Sequence, residues 1–206
     1  MQLYYSPGAC SLGIHVLLEE IDKPYDKTAI SLQGLDQYKP DYIKVNAKSK
    51  VPTLVRDDGS ILTEFPAIAF WLAQSNPGAG LLPTDTESQT RVLEALDYVV
   101  ATIHMQGFSR LFRAANFTPA AADEEKVKAR GREIAEKGFA LINQALAGKE
   151  YIIGRFSIAD AALFYVEFCA AGAMKIPLPA NCAAHFARMK TRPAVARALS
   201  QEGLTA

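Results

Sequence analysis

Residues 49–73, SKVPTLVRDDGSILTEFPAIAFWLA, decide the fold class, because they change from a strand pattern to a helix pattern within one short stretch. Two apolar runs, 51–55 and 61–62, flank an Asp-Asp-Gly sequence, and an Asp-Gly pair supplies the positive φ that a tight hairpin turn requires. The run over 65–73 is apolar almost all round, which predicts a buried helix with Pro66 in its first turn. A hairpin followed directly by a helix indicates an α/β unit.

The residues before this stretch complete that unit. QLYYS, at 2–6, predicts a short strand ended by Pro7-Gly8. Residues 11–21 place their apolar side chains on one helical face, and 26–31 predict a second strand. The order strand, helix, strand, hairpin and helix therefore predicts an α/β domain over residues 1–78.

The second half of the chain has a different pattern. A stretch dense in Pro, Gly and Ser predicts a linker over 79–86. Beyond it we find helical patterns and no good strand pattern, with helices expected over 88–105, 121–147, 157–174 and 180–199. The predicted organisation is an α/β domain, then an all-α domain over 87–206. Within the latter, SIAD (157–160) has the form of a helix capping box.

Composition excludes several classes of function. The 206 residues carry 22 acidic and 22 basic side chains, so no general attraction to nucleic acid or to an anionic membrane is expected. No apolar run approaches the roughly 20 residues of a membrane helix, and the N-terminus has no signal-peptide pattern. We therefore expect a cytoplasmic protein. Three cysteines without a CxxC, and three histidines without ligand spacing, disfavour a disulfide framework and a metal site.

Cys10, in SPGACSLGIH (6–15), lies where the first strand gives way to the first helix. A thiol there faces unpaired backbone N–H groups and the positive end of the helix dipole, and both stabilise a thiolate. A partly buried, inert cysteine fits the same residues equally well. Cys169 lies in an apolar helical stretch and is expected in the core, and Cys182 lies at a loop-to-helix boundary.

Three other positions have a chemical and a structural interpretation. A cis bond at Val51-Pro52 would aim the Val51 backbone outward, although only about 5–6% of X-Pro bonds are cis and trans is the general expectation. Glu64, before a helix start, offers a carboxylate beside free amides to a ligand with amino and carboxylate groups, or simply favours the helix dipole. His104 shares a helix side with Asp97, but a lone helix histidine is more typical of a surface or capping position.

In their order and spacing, a series of short strings resembles the beta class of bacterial glutathione S-transferases. These strings are PGACS, NAKSKVPTL, DDGSILTE followed by PAI, HMQGFSRLF, FSIADAALF and SQEGL, and they span essentially the whole chain. The resemblance implies the glutathione transferase fold, with an N-terminal thioredoxin-like glutathione-binding domain and a C-terminal helical bundle domain. It implies a homodimer with glutathione as co-substrate. The implied reaction is conjugation of small apolar electrophiles, a detoxification, or thiol–disulfide exchange through Cys10.

The resemblance also implies roles for residues of the N-terminal part. Cys10 matches a cysteine that faces the glutathione sulfur and can form a mixed disulfide with it, and Ser11 matches a position close to that sulfur. Val51, before a cis-proline matched by Pro52, would pair its backbone with the cysteinyl part of glutathione. Glu64 matches an acid that holds the γ-glutamyl amino group.

In the helical part, His104 matches a histidine that reaches toward the thiol region and the second-substrate pocket. Asp97 matches a position that touches the partner's glutathione across a dimer interface. Asp160 matches a folding residue. The second-substrate pocket would be lined by variable side chains such as Phe108, Phe112 and Phe164.

Three positions depart from the family pattern. Phe65 stands where the family usually has a serine or glycine that serves the γ-glutamyl carboxylate, so a side-chain hydrogen bond is lost. Asp97 replaces a common asparagine, and Met105 replaces a common lysine, so negative charge is added and positive charge removed. These changes point toward weaker glutathione binding. They leave an alternative function, a transferase-like ligand-binding or stress protein with little turnover.

Overall fold

The computed structural model describes residues 1–205. Its four strands form one mixed sheet in the order β2-β1-β3-β4, where β1 is Gln2–Tyr5, β2 is Asp26–Ala29, β3 is Thr53–Val55 and β4 is Ile61–Thr63. Strand β1 is parallel to β2 and antiparallel to β3, and β3 is antiparallel to β4. All four strands lie in the first third of the chain, so the predicted change of pattern after that point is confirmed.

The α-helices follow the sequence patterns closely at most of their ends. In chain order they are α1 (Ser11–Ile21), α2 (Pro40–Val45), α3 (Phe65–Ser75), α4 (Thr86–Asp97), α5 (Ser109–Phe112), α6 (Glu124–Ala145), α7 (Ile158–Cys169), α8 (Ala180–Lys190) and α9 (Pro193–Gln201). Two stretches of π-helix, Tyr98–Phe108 and Ala170–Met174, continue α4 and α7. Short 3₁₀ turns occupy Asp36–Tyr38, Pro77–Ala79, Ala114–Phe117 and Ala121–Asp123.

The backbone packs into two compact units. The first comprises residues 1–82 together with 188–205, and the second comprises 83–187. In the first unit α9 packs against α1, where Arg197 Nε donates to Glu19 Oε2 at 2.6 Å. The domain boundaries expected from the sequence, 1–78, 79–86 and 87–206, stay a prediction.

The core of the first unit is the layer between the sheet and its helices. Leu3 of β1, Leu54 of β3, and Leu12 and Leu17 of α1 are completely buried. Each such leucine contributes about 1.5–3 kcal/mol by leaving water. The β3–β4 hairpin turns at Gly59, whose φ of +80° is the conformation expected for this turn. This core fixes the ends of β1 and α1 relative to β3.

Helix α3 is less buried than its composition predicts. Ile68 and Leu72 are completely buried, but Phe70 is exposed and Trp71 lies under the Arg56 guanidinium, 5.4 Å from its ring centroid. The prediction of a buried helix is wrong for part of its surface, because only the face that packs against α1 and β4 is covered within its unit. Phe65, at the first helical position, belongs to the buried face.

The second unit is helical, as the sequence pattern predicts. The π-helical stretch Tyr98–Phe108 packs closely on α6, since a Cβ at Gly138 would lie 2.5 Å from Ile103 Cγ1. The predicted capping box is confirmed at the start of α7, where Ser157 N–H donates to Asp160 Oδ2 at 2.8 Å. Asp160 Oδ1 also accepts from Ile152 N–H at 2.9 Å. Asp160 therefore ties the preceding loop to the helix.

The predicted single helix over 180–199 is wrong. Helix α8 ends at Lys190 and α9 begins at Pro193, because a proline lacks the N–H that would continue a helix and suits a first helical position instead. Across the described residues 1–205, no helix combines the length and the apolar character needed to cross a membrane.

Candidate functional site

The residues singled out from the sequence fall into two groups, one in each compact unit. The first unit holds Cys10, Ser11, Val51, Pro52, Glu64 and Phe65, and the second holds Asp97, His104 and Met105. The first group lies on three segments that the sheet brings together: the start of α1, the approach to β3, and the start of α3.

The Cys10 thiol meets the backbone just before β3. Cys10 is the N-cap residue of α1 and is half-buried, and its S–H donates to the Val51 carbonyl, with Sγ 3.2 Å from the oxygen. The Val51–Pro52 bond is cis, as the family resemblance implies and against the general preference for trans. Two segments 41 residues apart in sequence thus place a thiol, a helix N-terminus and a carbonyl side by side.

Ser11 makes hydrogen bonds through its hydroxyl to the backbone of the loop before α1. Its side chain is completely buried, and Oγ accepts from Ser6 N–H at 3.0 Å and donates to the Ser6 carbonyl at 3.2 Å. The hydroxyl therefore closes the loop between β1 and α1. Its predicted place beside a ligand sulfur stays a prediction.

The Val51 segment is held from behind by two residues that the sequence reasoning did not single out. Tyr42 OH and Asn46 Nδ2 both donate to the Lys50 carbonyl, at 2.6 and 2.8 Å, and Asn46 Nδ2 also donates to Thr53 Oγ1 at 2.9 Å. Burial raises the pKa of Tyr42, so its hydroxyl keeps its proton and stays a donor. The asparagine was visible in the sequence as the first residue of NAKSKVPTL.

Glu64 stands at the start of α3 with a φ of +69°, a backbone conformation that is rare for residues other than glycine. Such strain costs on the order of 1–3 kcal/mol and is typical of functional sites. Glu64 Oε1 accepts from Lys48 Nζ at 2.8 Å, and Lys48 Nζ also donates to Thr63 Oγ1 at 2.9 Å. Both side chains of the ion pair are more than half exposed. Lys48 was missed because nothing in its local pattern marks it as a partner of Glu64.

Phe65, next to Glu64, directs its ring into the core, with only 4% of the residue exposed. The side chain therefore contributes packing and supplies no polar group at the start of α3. The departure from serine or glycine at this position is a departure in core packing as well as in hydrogen bonding.

In the second unit the candidate residues lie on one continuous helical segment. His104 lies within the π-helical stretch and is half-buried, with Nδ1 3.1 Å from the hydroxyl of the buried Tyr165. Asp97 ends α4 and is exposed, and Met105 is 42% exposed. Stretches of π-helix occur frequently at functional sites, and this one turns the His104 ring onto Tyr165.

Two expectations for the second unit are wrong. Phe108 and Phe164 are completely buried and cannot line a substrate pocket, whereas Phe112 is 55% exposed. Cys169 is half-buried rather than in the core. Cys182 is completely buried, and burial raises the pKa of its thiol to about 12, which makes it a poor nucleophile.

Comparisons with known proteins identify the family of this chain. Residues 8–75 match the family model described as "Glutathione S-transferase, N-terminal domain". The chain is 40% identical, over 209 aligned residues, to "Glutathione S-transferase GstA" of Escherichia coli O157:H7, covering 99% of this chain and 100% of that protein. The chain belongs to the glutathione S-transferase family.

Solved structures of family members superpose on nearly the whole chain. A glutathione transferase homolog from sulfitobacter with bound glutathione has a TM-score of 0.89 at 28% identity, covering 99% of this chain and 98% of that chain. A "bacterial beta class" glutathione S-transferase of Sphingomonas chungbukensis has a TM-score of 0.83 at 31% identity, covering 100% of both chains.

Family membership confirms several expectations. The glutathione transferase fold, with a thioredoxin-like N-terminal part and a helical C-terminal part, is confirmed. The protein is a glutathione S-transferase, and glutathione is its co-substrate.

Proposed function

We propose that this glutathione S-transferase is of the beta class and uses Cys10 to meet the glutathione sulfur. The observation that carries the proposal is the 3.2 Å contact between Cys10 Sγ and the Val51 carbonyl, beside the cis-proline. A cysteinyl backbone paired with Val51 presents its own sulfur to the neighbouring Cys10. The N-terminus of α1 then stabilises whichever of the two sulfurs is ionised.

Glu64 would hold the γ-glutamyl amino group of glutathione. Support comes from its contact with the Lys48 ammonium, since an acid that accepts from one ammonium at 2.8 Å can accept from another. Lys48 would then offer its ammonium to the γ-glutamyl carboxylate, which meets no side-chain hydroxyl at Phe65. On binding glutathione, Glu64 and Lys48 would thus exchange their mutual ion pair for one contact each with the ligand.

Two reactions are open to this arrangement. In conjugation, the glutathione thiolate attacks an electrophilic carbon, a C–S bond forms and the leaving group departs with its electron pair. In exchange, the Cys10 thiolate attacks a glutathionyl disulfide, forming the Cys10–glutathione disulfide and releasing a thiolate that takes up a proton. A glutathione thiolate then attacks the glutathione sulfur of this mixed disulfide, which releases glutathione disulfide and restores Cys10.

The proposed site also includes three residues of the second unit, which are His104, Asp97 and Met105. In the first unit, Ser11 is proposed to lie close to the glutathione sulfur. His104 supplies a polar ring held by Tyr165, and the exposed Met105 and Phe112 suit an apolar second substrate. Asp97 would meet the glutathione of a partner protomer.

We further propose a cytoplasmic homodimer that detoxifies small apolar electrophiles. Each chain would have a glutathione-binding domain over 1–78, a linker over 79–86 and a helical domain over 87–206. Light scattering in solution tests the dimer, because the mass should be twice the 22.4 kDa of one chain.

Titration calorimetry with glutathione, combined with turnover of the Cys10→Ala variant, tests the proposed function. We expect binding in the micromolar to low-millimolar range, loss of exchange in Cys10→Ala, and a smaller loss of conjugation. Equal exchange rates for the variant and the wild type would refute the role of Cys10. No heat at several millimolar glutathione would instead support the alternative, a ligand-binding or stress protein with an eroded glutathione site.

A further inference from the structure

The turn that leads to Cys10 is held by a residue from the far end of the chain. Pro7 and Gly8 join β1 to α1, and Gly8 has a φ of +69°. The Gly8 N–H donates to Glu202 Oε2 at 2.8 Å, although 194 residues separate the two in sequence. This bond lies two residues before the thiol, and Glu202 follows the end of α9.

Glu202 is fixed on its other side by a buried histidine. The second carboxylate oxygen, Oε1, lies 2.8 Å from His15 Nδ1, and both side chains are completely buried. His15 stands on α1, one helical turn and a half beyond Cys10. The carboxylate therefore bridges the turn before α1 and the body of α1.

A side-chain amide meets the other ring nitrogen of His15. Gln201 Nε2 donates to the Glu19 carboxylate at 2.9 Å, so Gln201 Oε1 is the atom that faces His15 Nε2, at 3.0 Å. Both ring nitrogens of His15 are thus within hydrogen-bond distance of side-chain oxygens, which fixes the orientation of the ring beside Glu202.

We propose that Glu202 is a positioning residue for Cys10. By accepting the Gly8 N–H while bound to His15, it holds the Pro7–Gly8 turn at the angle from which Cys10 reaches the Val51 carbonyl. This inference rests on the proposed role of Cys10 in meeting the glutathione sulfur. Glu202 itself touches neither sulfur.

A matched pair of variants tests this proposal. Glu202→Leu removes the acceptor of the Gly8 N–H, and Glu202→Gln keeps one acceptor oxygen in nearly the same volume. We expect the rate of Cys10 exchange with glutathione disulfide to fall about tenfold in Glu202→Leu and about threefold or less in Glu202→Gln. The rate of the Cys10→Ala variant is subtracted as the background.

Glu20→Leu is the control for stability alone. Glu20 Oε1 accepts from Arg192 Nε at 2.7 Å, so the variant also breaks a contact between α1 and the C-terminal segment, but one that does not reach the turn. We expect Glu20→Leu to lower the unfolding midpoint without changing the exchange rate. An equal loss of exchange in Glu20→Leu and Glu202→Leu would overturn the proposal.

If Glu202→Leu fails to fold, amide hydrogen exchange in the wild-type protein tests the hydrogen bond between the Gly8 N–H and Glu202 instead. The Gly8 N–H should exchange slowly, and exchange as fast as in an exposed turn would contradict the proposal. These experiments distinguish a failure of the proposed role of Cys10 from a failure of the proposed role of Glu202. Wild-type exchange rates in Cys10→Ala refute the role of Cys10 itself, whereas a Cys10-dependent rate that Glu202→Leu leaves unchanged refutes only the role of Glu202.

Discussion

Each compact unit contains a buried histidine whose Nδ1 lies close to a buried glutamate, and the two pairs have different roles. In the first unit His15 Nδ1 lies 2.8 Å from Glu202 Oε1, and in the second His185 Nδ1 lies 2.8 Å from Glu167 Oε2. All four side chains are completely buried. Glu202 uses its other oxygen to hold the turn before Cys10, whereas His185 presents its other nitrogen to Asp160, 3.4 Å away.

The difference shows that the same buried group can position a site or stabilise a fold. The contacts of the first pair end at a backbone N–H next to the candidate nucleophile. The contacts of the second pair end at the capping box of α7, through Asp160. Variants of the first pair should therefore change reactivity, and variants of the second should change stability alone.

Asp160→Ala should have the largest effect on stability. The substitution removes the acceptor of two backbone N–H groups, those of Ser157 and Ile152, and takes away a charged neighbour of His185. We expect the free energy of unfolding to fall by about 3–5 kcal/mol, measured by urea denaturation. Conjugation per folded molecule should be unchanged. A loss of activity without a loss of stability would break the contrast between the two pairs.

The His185 pair should make stability depend on pH. Burial lowers the pKa of His185, but the Asp160 and Glu167 carboxylates outweigh this effect and raise the pKa to about 9 from its usual 6.5. A histidine pKa raised by folding contributes stability that is fully present below pH 6.5 and is lost as the pH rises through about 9. Between these values we expect a loss on the order of 2–3 kcal/mol.

Urea denaturation of the wild type and of His185→Gln at several pH values measures this dependence. The variant cannot take up the proton, so its stability should fall less steeply with pH. Parallel curves for the two proteins would assign the pH dependence to other groups, such as the buried Glu167, whose pKa is itself raised to about 7 by burial.

Lys48→Gln should have the smallest effect on stability, because Lys48 and Glu64 form an exposed ion pair in contrast to both buried pairs. We expect the free energy of unfolding to change by less than about 1 kcal/mol. The glutathione KM should nevertheless rise severalfold, since the variant loses the cation proposed for the γ-glutamyl carboxylate. An unchanged KM would remove Lys48 from the proposed site.

Features set by neighbouring residues could be predicted from the sequence. Strand β1, helix α1, the Gly59 hairpin and the capping box at Ser157 all depend on side chains a few positions apart. The candidate residues on the first unit were found because short strings such as PGACS carry them. Pro193 also indicates a helix break, but the apolar pattern continues across this proline and therefore favoured a single helix.

Features set by distant residues could not be predicted. The Gly8–Glu202 bond joins positions 194 residues apart, and nothing in either local pattern selects the partner. The burial of Phe65, Phe108 and Phe164 depends on which helix face meets a neighbour, which composition alone does not decide. The π-helical stretch Tyr98–Phe108 likewise packs closely on α6 at Gly138, a contact between residues far apart in sequence that neither local pattern predicts.

Mass spectrometry of the protein after incubation with glutathione disulfide tests the central claim most directly. The account predicts one glutathionyl group, carried by the peptide that contains Cys10, released by a reducing agent and missing in Cys10→Ala. The completely buried Cys182 should remain unmodified. A modification found on Cys169 alone, or none at all under conditions where glutathione binds, would contradict the assignment of Cys10 as the thiol that meets glutathione.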